Sequence, residues 1–443
     1  MSVLFKPRTL FLALCLVAAT SCASHPPLGR QQFLADFDVL WSTLAEDYAY
    51  LDGKTTDWRK VRDIYRPLAG AATDKRDFVG VLERTLDELY DPHTHLKANT
   101  AASYRLIPTG LDVWAEWRDG KALVTQVRRG FSAEQAGMRT GMEILAINGT
   151  PVADAVRRRL GRALTSPDAA AFDWALRSLL AGTHDTPRVV DAAGADGVSR
   201  RFRLDQPEHR VVNTYQPDAA VEWRRLPDGI GYIALHDLGS DGTVAQFDEA
   251  LEQLRATRGL ILDLRDTPSG GNTSVAEPIL GRFIQRTLAY QRIIPHHGAA
   301  WVREVSPRGE WQYTAPLVVL VDHWTGSMGE GMAIGLDGMG RATVAGTRMA
   351  GLNGAVFDLE LPNTRIRLNY AAERLAHLDG TPREHYVPSL HVDLLDPAHA
   401  GVDDPVFQAG IALLQQRVHF EDSATGSLHS FLRHPSGTRG NNA

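Results

Sequence analysis

The sequence predicts an α/β protein with a helical N-terminal segment and a β-rich module inserted ahead of the main α/β core. Three observations carry this. Short apolar runs from Ile230 to Leu235, Gly259 to Leu264 and Pro316 to Val321 read as buried strands, and helical spacing at Phe247, Leu251 and Leu254 separates the first two. Apolar residues recur every three or four positions near the N-terminus. Between these regions, Asp119-Gly120 joins two alternating apolar stretches, the signal of a hairpin. The 443 residues are 44% hydrophobic and 23% charged, which suits a folded chain. With 47 Lys+Arg against 53 Asp+Glu the formal net charge is −6, so no global basic field exists and nucleic acid is not an expected partner.

Residues 1–22 have the layout of a secretory signal: Lys6 and Arg8, then an apolar run from Thr9 to Ala19 too short to span a bilayer. Ala19-Thr20-Ser21-Cys22 resembles a bacterial lipobox, which implies lipidation of Cys22 and a lipid-anchored location in the cell envelope, with plain secretion as the alternative. Cys15 would leave with the signal, so no intramolecular disulfide is expected. Residues 23–105 read as helical: Phe33, Phe37, Leu40, Trp41, Leu44 and Tyr48 form one stripe, and Phe78, Val79, Leu82, Leu86 and Leu89 another, which ends at Asp91-Pro92 because proline disfavours helical geometry before it. Residues 106–205 form the β-rich module, closed by a helix from about Asp168 to Leu180. Residues 206–435 form the α/β core, and the Gly-, Asn- and Ser-rich tail 436–443 is expected to be disordered.

Two places in the core could do chemistry. Ser327 follows the strand run ending at Val321 and precedes a helical stretch beginning at Met328, so its hydroxyl can stand open at a strand-to-helix turn. The Met328 N–H, in the first helical turn, could then stabilise an oxyanion. An isolated serine there is more simply a helix cap. Gly270 and Gly271 lie in a turn after another buried strand, where backbone N–H groups can approach a ligand, although turns use glycine routinely. Glu330, one turn after Ser327, could orient the serine loop.

In order along the chain, Asp91-Pro92-His93-Thr94, the run Ile144 to Val152, Leu262-Asp263-Leu264-Arg265 with its glycines, Gly326-Ser327-Met328 and Leu378 to Glu384 resemble the tail-specific and tricorn-core family of serine peptidases. The resemblance implies a crotonase/Clp-protease-like core interrupted by a PDZ-like domain. In that domain Gly110, Leu111, Asp112 and Val113 fall where such modules receive a peptide carboxylate. It also implies an activated Ser327. The tail-specific branch uses a lysine after the serine as general base, but no lysine follows Lys121, and arginine does not deprotonate. The tricorn branch draws a histidine from ahead of the PDZ-like domain, which places His93 as the base and Glu384 as the acidic group orienting it. Departures stand at Ser269, where the family turn has glycine, and at His385, Tyr386 and Ser389. The resemblance implies no cofactor, and peptides or partly unfolded proteins as substrates; His93 and His95 form a His-x-His pair, but no third ligand stands at metal-binding spacing, so no metal is expected, and oligomeric state stays open. Two alternatives remain: a non-catalytic peptide or hydrophobic-ligand binder on the same scaffold, and an esterase using the same triad.

Overall fold

The computed structural model describes residues 28–212 and 216–431. The signal segment, Cys22 and the tail 436–443 lie outside the described residues. Among those described, no helix is long and apolar enough to cross a membrane.

Three helices, Arg30–Asp47, Trp58–Ala71 and Lys75–Asp87, open the chain. Asp57 caps the second by accepting the N–H groups of Arg59 and Lys60, and Asp74 caps the third by accepting that of Asp77. The predicted stripe turns inward: Phe33, Phe37, Leu40 and Leu44 are fully buried and share a core with Leu361, Leu368 and Ala371 of the C-terminal half. Burial of that face, rather than helix propensity, holds the helices in place. It also fixes the connector that follows, where His95–Leu96 pairs antiparallel with Asn369 and Leu368 of the strand Arg367–Ala376. This last strand belongs to a five-stranded sheet that no sequence periodicity announced.

The β-rich module is a six-stranded sheet. Val113–Arg118, Lys121–Val127, Glu143–Ile147, Val189–Ala193 and Ser199–Arg203 follow one another in space, with Thr150–Pro151 beside the third. Asp119 and Gly120 take positive φ at the expected hairpin turn. The helix Ala169–Ala181, capped by Asp168, covers the sheet with Ala171, Trp174, Ala175 and Leu176.

The core sheet runs in the order Leu390–His391, Thr343–Gly346, Leu317–Val321, Gly259–Asp263, Ile230–Leu235 and Val221–Arg225. All neighbours are parallel except the last pair. The three predicted strands are buried along their whole length, as continuous apolar runs in a two-sided sheet must be. Gly259–Asp263 and Leu317–Val321 are adjacent and parallel, so the glycine turn and the serine loop leave the same end of the sheet side by side.

Candidate active site

Ser327 sits at the entrance of the helix Met328–Gly338 with φ 50° and ψ −108°, a left-handed conformation that a non-glycine residue holds only when its surroundings impose it. Its backbone shows what does so. The Ser327 N–H donates to the Glu330 carboxylate at 2.8 Å, and the Ser327 carbonyl accepts from the Arg383 guanidinium at 3.2 Å. Opposite stands Gly270 with φ 62°, where a Cβ would lie 2.4 Å from the Ser327 Cβ and 2.9 Å from the Met328 nitrogen, so only glycine fits. The carbonyl of Thr267 stitches the two loops together by accepting the N–H groups of Gly270 at 3.1 Å and Gly326 at 3.2 Å.

His93 reaches this serine from 234 residues away. Its Nε2 lies 3.1 Å from Ser327 Oγ, and its Nδ1 lies 2.5 Å from the Asn353 carbonyl oxygen. A carbonyl only accepts, so Nδ1 carries the proton, and Nε2 presents its lone pair to the hydroxyl. The histidine backbone is fixed as well: its N–H donates to Asp91 Oδ1 at 3.0 Å, and Asp91 Oδ2 accepts from Tyr48 and Thr94. Burial, and after it the Arg383 guanidinium, push the imidazole down to about 4, so the ring is neutral at neutral pH.

The Asn353 carbonyl is itself held from both sides. Glu330, fully buried, accepts from the Gly351 N–H at 2.9 Å and the Leu352 N–H at 3.3 Å besides that of Ser327. Arg383 donates to the carbonyls of Leu352 at 2.9 Å and Gly354 at 2.8 Å. These two side chains therefore tie the serine backbone and the histidine-orienting loop into one unit. Burial pushes the Glu330 carboxyl up to about 7 despite the opposing pull of Arg383.

Several expected residues take other places. Glu384 is not on His93: its carboxylate accepts from Tyr50 Oη at 3.5 Å, and the imidazole position it was expected to fill belongs to the Asn353 carbonyl. Gly270 lends room rather than a donor, because its N–H is committed to Thr267; Gly271, pressed against the Leu238 carbonyl, is the remaining glycine of the pair. The loop of Gly110, Leu111, Asp112 and Val113 is closed to a peptide carboxylate. All four residues are buried, and the N–H groups of Gly110 and Leu111 donate to Leu106 and Pro108. The Asp112 carboxylate is ion-paired with Arg188 and accepts from Ser132, and the Leu111 carbonyl accepts from Trp324 Nε1 at 2.6 Å. Trp324 thus docks the β-rich module onto the serine loop and, fully buried, is a packing residue. Asp263 and Arg265 pair with each other, with Asp404 completing a structural cluster. The sequence reading missed Asn353 and Arg383. A backbone carbonyl carries no residue-type signature, although the positive-φ glycines Gly351 and Gly354 that flank Asn353 mark a tight turn.

The family model described as peptidase family S41 matches residues 229–387, and the tricorn protease C1 domain matches residues 30–87. The chain is 27% identical over 333 residues to the chloroplastic C-terminal processing peptidase of Tetradesmus obliquus, covering 69% of this chain and 66% of the relative. It is 23% identical over 402 residues to tricorn protease homolog 1 of Streptomyces coelicolor, covering 85% of this chain and 34% of the relative. The chain thus spans less than two thirds of the length of either curated relative. Among solved structures, mature CPAF shares the fold with a TM-score of 0.59 at 15% identity, over 87% of this chain and 96% of that one.

Proposed function

We propose that this chain, whose residues 229–387 match the peptidase family S41 model and whose residues 30–87 match the tricorn protease C1 domain, is a serine peptidase in which Ser327 is the nucleophile and His93 the general base. The observation that carries this reading is the 3.1 Å contact between His93 Nε2 and Ser327 Oγ, made by an imidazole whose tautomer the Asn353 carbonyl sets. On attack at a peptide carbonyl, Nε2 takes the hydroxyl proton and the Asn353 carbonyl steadies the imidazolium that forms. The Met328 N–H lies in the first helical turn, where no intrahelical acceptor exists, and stabilises the developing oxyanion together with the Gly271 N–H. His93 returns the proton to the leaving amine, and a water activated by the same nitrogen releases the acyl group from Ser327. Glu330 and Arg383 are positioning residues.

The substrates in this reading are peptides or unfolded protein segments. Export belongs to the same proposal, supported by the apolar run from Thr9 to Ala19 and the small residues before Cys22. Incubating the purified chain with a denatured proteome and mapping new termini by mass spectrometry tests it. New peptide ends are expected with the wild type, and Ser327→Ala should lower their rate of appearance by about 10⁴-fold. New ends formed at an equal rate by Ser327→Ala would refute the assignment.

A further inference from the structure

Lys54 follows the short turn Leu51–Gly53 and lines a cleft of about 710 Å³ bounded by the N-terminal helices, the β-rich module and the core. The same cleft is lined by Asn353, whose carbonyl orients His93, and by Glu384. Three carboxylates attract the Lys54 ammonium through space: those of Asp91, Asp168 and Glu384. Each is already engaged by a tyrosine hydroxyl. Tyr48 donates to Asp91 at 2.9 Å, Tyr90 to Asp168 at 2.7 Å and Tyr50 to Glu384 at 3.5 Å. No carboxylate among the described residues comes within ion-pair distance of Lys54; its Nζ lies instead over the Tyr90 ring, 4.0 Å from the centroid.

The other lysines among the described residues differ. Lys97 and Lys121 pair with Asp358 and Glu143, Lys75 donates to the Thr364 carbonyl, and Lys60 is exposed to water. Lys54 is half-buried, and burial lowers its pKa although Asp91, Asp168 and Glu384 pull the other way, since none of the three makes a direct ion pair with it. A cation with no direct ion pair, on a cleft whose wall also holds Asn353 and Glu330, the residues that position His93 and Ser327, can receive an anion, and the ligand of a peptidase brings carboxylates.

We propose that Lys54 binds a carboxylate of the peptide in the cleft, either its C-terminal carboxylate or an acidic side chain; that the ligand is a peptide rests on the peptidase reading. Binding can be read without turnover. Ser327→Ala, with Lys54 intact or changed to Met, Gln or Arg, would be equilibrated with a pool of N-acetyl octapeptides of uncharged side chains bearing a free C-terminus. The same pool amidated, and the amidated pool with one glutamate added, complete the series, and retained peptide is quantified by mass spectrometry.

With Lys54 or Arg, retention of a carboxylate-bearing pool should exceed that of the plain amidated pool by about 10- to 100-fold, the size of one hydrogen bond between charged groups. With Met or Gln the gap should close. The free-terminus pool identifies the α-carboxylate as the ligand, and the glutamate pool a side chain. Equal retention of all pools with Lys54 intact, or a gap that persists in both Met and Gln variants, would overturn the proposal. The two readings fail separately: a Lys54-dependent gap in a chain whose wild-type Ser327 resists a fluorophosphonate keeps the carboxylate site and removes the peptidase.

Discussion

At the scale of single residues, the site rests on an imidazole kept neutral by burial. His93 titrates at about 4, against an unperturbed 6.5, and only its neutral form can accept the serine proton. The acid limb of kcat/KM is therefore expected near pH 4, and a limb at 6.5 would show that the imidazole is solvated during turnover. Burial shifts Glu330 the other way, from 4.5 to about 7, so the folded protein holds that proton more tightly than the unfolded chain. Its contribution to stability is thus complete below about pH 4.5 and is lost as pH rises through 7. Relative to Glu330→Gln, which cannot titrate, the wild type should lose Tm over that window, and parallel pH profiles would contradict the assigned shift. Glu330→Ala leaves the N–H groups of Ser327, Gly351 and Leu352 without their acceptor and should cost on the order of 2–4 kcal/mol. In the Glu330→Gln variant kcat should fall more than KM changes, because the side chain holds the machinery and touches no substrate. The strand-to-helix turn that presents Ser327 left a mark in sequence, and the family resemblance pointed to His93, which the structure places beside it. Asn353 acts through its backbone, and that is why the acidic partner expected at Glu384 turned out to be a carbonyl.

At the scale of elements, the glycine turn and the serine loop are set by two adjacent parallel strands and by one close approach. Gly270 has φ 62°, and any Cβ would meet Ser327 at 2.4 Å. Gly270→Ala should therefore abolish hydrolysis and lower stability by about 1–3 kcal/mol through backbone strain and overpacking. An active, equally stable Gly270→Ala protein would show that the loops stand farther apart. The core strands were legible because two-sided burial writes an uninterrupted apolar run, and the Asp119-Gly120 hairpin because its positive φ values demand those residues. The strands Leu288–Pro295, Trp301–Val305 and Ala355–Glu360 were not. Trp301, Val302 and Phe357 put apolar side chains at exposed positions and so break the alternation that would have marked these strands.

At the scale of the whole molecule, function depends on three parts meeting. The helical segment supplies His93, the core supplies Ser327, and the β-rich module is fastened beside them by Trp324 on Leu111 and by Gln126 on Asp322. The module owes its own integrity to Arg188, fully buried and shared between Asp112 and Asp205. Arg188→Met leaves the buried Asp112 without its cation and Asp205 with Arg105 alone, and is expected to destabilise by about 3–5 kcal/mol, with loss of activity following loss of the docking surface. Thermal unfolding indistinguishable from wild type would remove that role. The family resemblance, and no periodicity or spacing, implied that residues 93 and 327 converge, whereas the closure of the Gly110–Val113 loop could not be read from sequence, since Trp324, 213 residues away, docks on its Leu111 carbonyl. The most direct measurement is the rate at which a fluorophosphonate labels the full chain, with the modified residue mapped by mass spectrometry. Labelling at Ser327 alone, slowed by about 10³-fold or more in His93→Ala, is the result expected of an imidazole-activated hydroxyl. Labelling elsewhere, or at an unchanged rate without the imidazole, would contradict it.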